Sequence, residues 1–117
     1  MTFEQIANYL RSHRRRSGLS QKELAQIVGF LTGFSVSQHE RSATIPALLI
    51  AVSYEIVFRA PISELFPGLY RTVEERIEEQ LSSIEDELQE STAKGRRAAH
   101  TARKLEWLWE RRNQEAI

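Results

Sequence analysis

Ser20-Gln21-Lys22-Glu23-Leu24-Ala25, then Gly29, then Val36-Ser37-Gln38-His39-Glu40-Arg41, is the stretch on which the reading of this 117-residue chain turns. Ser20 and Glu23 stand three apart, the spacing of a capping box. The serine oxygen accepts the N–H of Glu23, and the Glu23 carboxylate accepts the N–H of Ser20. Leu24, Ala25 and Val28 supply the apolar face of the short helix that begins there. Gly29 ends it, because a sharp turn asks for a left-handed backbone. Ala25 is small enough to let a second helix cross closely. Residues 30–35 read as a turn containing Gly33, and a further helix runs through Arg41 with Val36 facing inward.

Working outward, Phe3, Ile6, Ala7 and Leu10 recur at helical spacing and predict a first helix from about residue 3 to 16, stopping near Gly18. Pro46 suits the first turn of a fourth helix, Pro46 to about Phe58. That helix is nearly all apolar, which makes it the expected centre of the core. Glu55 within it is expected to face solvent or to pair with Arg59 at i+4. Pro61 opens a single turn, Ile62 to Phe66, closed by Pro67-Gly68. The expectation is an all-α chain with a five-helix domain over 1–67 and a helical extension over 68–117.

In the extension, Tyr70, Val73, Ile77, Leu81, Ile84 and Leu88 alternate at spacings of three and four, a narrow coiled-coil-like stripe on an acidic helix. Ser91 to Gly95 breaks or bends that helix. Ala98, Ala102, Leu105 and Trp109 then share a face of a basic one, and Trp107 lies off it because residues two apart point in different directions. A stripe this narrow does not cover a globular core, so Val73, Ile77, Leu81, Ile84, Leu88, Leu105 and Trp109 are read as dimerisation residues.

The formal net charge is zero, but it is segregated. Residues 1–70 carry 7 basic and 5 acidic side chains, residues 71–90 carry 2 and 8, and residues 91–117 carry 7 and 3. The acidic and basic segments suit one another as antiparallel partners, within one chain or across two. There is no cysteine, which excludes disulfides and thiolate metal sites. His13, His39 and His100 lie far apart with no metal-ligand spacing, and His39 is read as a packing residue. No nucleophile–base pair, paired carboxylates or phosphate-cradling glycine loop stands out, so neither an enzyme nor a cofactor is expected. The longest apolar region, Ile45 to Phe58, is interrupted by Ser53 and Glu55 and is too short for a bilayer. The expectation is a soluble, cytoplasmic protein that makes no membrane contact.

Arg14, Gly18-Leu19-Ser20-Gln21, Glu23-Leu24-Ala25, Gly29 and Val36 to Arg41, continuing through Pro46 and Leu48 to Glu64-Leu65-Phe66, resemble the Cro/phage-repressor (XRE-like) helix-turn-helix family over roughly residues 5–66. The turn is one residue longer than the common pattern, with six residues between Gly29 and Val36, and Phe34 and Leu31 stand where polar residues are usual. The resemblance implies that Phe34, Ser35 and Gln38 face base edges. Gln38 is the best reader, because an amide can pair with N6 and N7 of adenine. It implies phosphate contacts from Gln21, by side chain or helix-terminal N–H, from Arg15 or Arg16, and from Arg41 or Ser42. It also implies a structural ion pair between Arg14 and Glu40. The function expected is a sequence-specific transcriptional regulator of the repressor type, binding double-stranded DNA as a homodimer on an inverted repeat. The alternative is a protein-binding module on the same scaffold, an antitoxin or anti-activator, suggested by Phe34, Leu31 and whichever indole of Trp107 and Trp109 is left unpartnered.

Overall fold

The computed structural model describes residues 6–91 and 95–115, and every regular element among them is a helix. In chain order these are α1 (Leu10–Arg16), α2 (Gln21–Val28), α3 (Gly33–Glu40), α4 (Leu48–Phe58), α5 (Ile62–Leu65), α6 (Pro67–Gln89) and α7 (Arg96–Glu115). None of the described helices is long and apolar enough to cross a membrane.

Helix starts follow local capping chemistry more closely than apolar periodicity. The first helix begins at Leu10, not near residue 3, because Asn8 Oδ1 accepts the Leu10 N–H at 3.0 Å and sets the chain turning there. Ile6 and Ala7 precede it in non-helical backbone, and Phe3 lies outside the described residues. The capping box of α2 has both of its bonds, each 3.0 Å long. These bonds hold the Glu23 carboxyl below its ordinary pKa, with the backbone N–H of Ser20 contributing most. Gly29 closes α2 at φ 82°, a left-handed conformation that glycine adopts without strain.

α3 starts earlier than expected. Thr32 caps it by accepting the Ser35 N–H at 3.3 Å, so Gly33, Phe34 and Ser35 lie in its first turn rather than in the preceding loop. Pro46 falls just outside α4, for which Ala47 is the N-cap. Pro67 does not close α5 but opens α6, since a proline at the first helical position lacks only an N–H that would have no partner there. Glu55 is neither free in solvent nor paired with Arg59. Its carboxylate accepts the N–H of Ile62 at 3.0 Å, capping α5, where Pro61 has no side-chain oxygen to offer.

The chain divides into two compact units, Met1–Val73 and Glu74–Ile117, and the division falls inside α6 rather than at residue 67. Leu69, on the first turn of α6, packs against the core of the first unit, which explains the shift. That core gathers Leu10, Leu24, Ala25, Val28, Val36, Ile50, Tyr54, Ala60, Leu65 and Phe66. α4 contributes Ile50 and Tyr54 to it, Tyr54 being the largest of the fully buried side chains.

In the second unit, the acidic part of α6 and the basic α7 meet within one chain. Arg111 Nη2 lies 2.6 Å from Glu78 Oε1, and Arg112 pairs with Glu85. Leu108 is buried between the flanking arginines and the exposed Trp107 and Trp109. The inward face of α7 therefore runs through Leu105, Leu108 and Arg111, turned from the expected face of Ala98, Ala102, Leu105 and Trp109. Beyond Val73 the half-buried positions of α6 are Glu78, Leu81, Glu85 and Leu88, while Val73 itself, Ile77 and Ile84 stay exposed.

Candidate nucleic-acid interface

α3 is a two-sided helix. Val36 is completely buried and His39 nearly so, which fixes its inner side. His39 Nδ1 lies 2.7 Å from the Tyr54 hydroxyl, with the two rings edge-on. Burial pushes the His39 pKa down and the Tyr54 pKa up, and the charge of Glu40 raises the tyrosine further. The imidazole is thus a neutral hydrogen-bonding element of the core.

The outer side carries Phe34, Ser35, Gln38 and Arg41. Phe34 is 68% exposed. Ser35 shares a hydroxyl contact with Thr32 at 3.3 Å, while the Gln38 amide makes no hydrogen bond to any described residue. Arg41 is exposed, with its Nε donating to the Ser37 carbonyl at 3.3 Å. Gly33, at the start of α3, lies against α2: a Cβ there would meet the Lys22 backbone nitrogen at 3.4 Å, an ordinary van der Waals contact.

Glu40 is the hub that holds α1, α2 and α3 together. Its carboxylate accepts Arg14 Nε at 2.5 Å, Arg14 Nη2 at 3.1 Å and Gln21 Nε2 at 3.1 Å. Arg14 Nη1 also donates to the Leu19 carbonyl at 2.9 Å. The hydrogen bonds to Glu40 raise the Arg14 pKa still higher, and the pair is nearly removed from solvent. The Gln21 amide gives one of its two N–H groups to this network, leaving the other and the N–H groups at the α2 N-terminus to face an anion.

A second brace escaped the sequence reading. The Asn8 amide donates to the His39 carbonyl at 3.0 Å and to Ser42 Oγ at 2.9 Å, and Ser42 Oγ donates to the Ile6 carbonyl. Ser42, in a left-handed conformation at φ 57°, therefore ties the end of α3 to the segment before α1. Its hydroxyl is engaged inside the chain rather than available to a phosphate. Arg11, Arg15 and Arg16 on α1 are exposed and form no ion pair among the described residues, as is also true of Lys22, Arg41, Arg59 and Arg71 in this unit.

One feature runs against a purely polar reading surface. Ile27, Phe30 and Phe34 are all open to solvent, whereas Leu31 is half-buried against the core. The exposed large apolar residues of this turn are thus Phe30 and Phe34, not Leu31. No family model, no curated protein and no solved structure matches the chain.

Proposed function

We propose that the first unit is a Cro/phage-repressor-like helix-turn-helix module, with α3 as the reading helix, and that the protein is a sequence-specific transcriptional repressor without enzymatic activity. The observation that carries this reading is the two-sidedness of α3. Val36 and His39 lock its inner side while Phe34, Ser35 and the uncommitted amide of Gln38 face outward, and the same unit carries exposed arginines on α1 and at Arg41. A major groove about 12 Å wide admits such a helix, and amide and hydroxyl groups there can distinguish base edges. Arg15, Arg16 and Arg41 would meet phosphates, and the α2 N-terminus beside Gln21 would meet another. Arg14–Glu40 and Asn8–Ser42 hold the reading helix in place.

Two copies would bind an inverted repeat with half-sites about one helical turn apart. The open flank of α6, with Ile77 and Ile84 seven residues apart, supports self-association there, because α7 covers only the other flank.

Selection of bound sites from random duplexes, followed by gel shifts across a salt series, tests the reading. A symmetric site whose affinity falls steeply with salt is expected. Gln38→Ala is expected to lose discrimination at one or two base pairs, by about 1–3 kcal/mol for a good bidentate contact. Absence of any selected site, or binding indifferent to salt, rules the regulator out. The exposed Ile27, Phe30 and Phe34 favour one second reading, a protein-docking surface of antitoxin or anti-activator type. A Phe30→Ser, Phe34→Ser variant that keeps DNA affinity but loses a stoichiometric protein partner would establish it.

A further inference from the structure

α4 is nearly all apolar, yet the described residues cover only one side of it. Ile50 and Tyr54 point into the core, and Val57 and Phe58 pack against it. On the opposite side Leu48, Leu49, Val52 and Ile56, with Ile45 just ahead of the helix, are open to solvent, from 43% at Val52 to 80% at Leu48. Positions 48, 52 and 56 recur every four residues with 49 beside them, so they form one ridge along the helix. No charge interrupts it, because the only charged residue within α4, Glu55, is turned to the Ile62 N–H.

We infer that this ridge is a contact surface between two copies of the chain. Its exposed parts amount to on the order of 500 Å² of apolar surface, as much as the largest patch a monomer ordinarily shows. Two such ridges together bury about 1,000 Å², the lower bound for a specific interface, before any neighbouring residue is counted. A second copy is the occupant this chemistry selects. Across a two-fold axis each patch meets itself, so a surface must be self-complementary in charge. An uncharged ridge meets that condition, whereas a surface built for a charged partner would carry the opposite sign. Its straight i, i+4 geometry is also what helix-against-helix packing uses. The contact lies within the first unit and is separate from the one proposed on α6, and it does not require that the protein bind DNA.

The absence of cysteine makes the test direct. In the full chain without DNA, Val52→Cys should form covalent dimers under mild oxidation at least tenfold faster than Ser63→Cys, an exposed control on α5. Adding Leu48→Glu and Ile56→Glu should abolish that advantage. The same two substitutions in the cysteine-free chain should weaken self-association at least tenfold by sedimentation equilibrium, with the helical signal unchanged because both side chains are already in solvent. Cross-linking of Val52→Cys no faster than the control overturns the inference, even if Ile84→Cys on α6 cross-links readily. It is equally overturned if Leu48→Glu with Ile56→Glu abolishes binding to anionic lipid vesicles or to a different protein while leaving self-association intact.

Discussion

Ten apolar side chains close the core of the Met1–Val73 unit, from Leu10 on α1 to Phe66, whereas among the described residues of the Glu74–Ile117 unit only Leu108 is as deeply buried. The first unit also has its ion pair inside, with the Arg14 and Glu40 side chains 10% and 3% exposed, while the second wears its pairs on the surface. The contrast is one of completeness. The first unit satisfies its own interior, and the second leaves Ile77, Ile84, Trp107 and Trp109 uncovered among the described residues.

The sharpest way to break this comparison is to cut into each interior. Leu24→Ala should destabilise the first unit by about 2–5 kcal/mol, the range for a fully buried leucine in a close-packed core. Leu108→Ala should leave that unit's hydrogen-exchange protection unchanged and raise exchange only in α6 beyond Val73 and in α7. Equal loss of protection in both units for either variant would show that they are not separate cooperative blocks.

Next in size come the ion pairs. Glu40→Ala strands a buried guanidinium and the Gln21 amide together, so a loss of about 3 kcal/mol is expected in denaturant titration. Glu78→Gln, at an exposed pair, should leave the denaturation midpoint within measurement scatter, since surface ion pairs contribute little. A large effect at Glu78 would mean that the second unit is held by charge rather than by its apolar contacts.

The smallest expected effect is a pH slope confined to the first unit. Burial holds the His39 pKa below its ordinary 6.5, so the unfolded chain takes up the proton first as pH falls. Stability from this group is complete above about pH 6.5 and declines as pH drops through that value towards the folded-state pKa. Thermal melts between pH 7.5 and 5.5 should show the decline in the native protein and a flatter profile in His39→Gln. An unchanged slope in His39→Gln would assign the pH dependence to another group.

What could be read in advance was whatever a few neighbouring residues decide among themselves. The Ser20/Glu23 capping box, the Gly29 turn and the inward Val36 all belong to that class, and the overall helical character follows from them. The start of α3 was also local, in the Thr32-x-x-Ser35 spacing, but the glycine and aromatics around it suggested a loop. The Asn8–Ser42 brace and the Glu55 cap on Ile62 were out of reach, because they join polar groups through the fold and leave no periodic trace. On α7, alanines and Trp109 mimic an apolar stripe, and the true inward face was settled by where Leu108 and the two arginines could find α6. α4 illustrates a different limit. A pattern of apolar residues tells that a surface avoids water, but not whose surface will shelter it.

The clasp at Asn8 has a mechanical corollary. Because one amide grips the carbonyl of His39 and the hydroxyl of Ser42, the rear of α3 is moored to the segment ahead of α1. Loosening that mooring would throw the aim of the helix onto its buried Val36 and the Arg14–Glu40 pair, with every side chain on it unchanged.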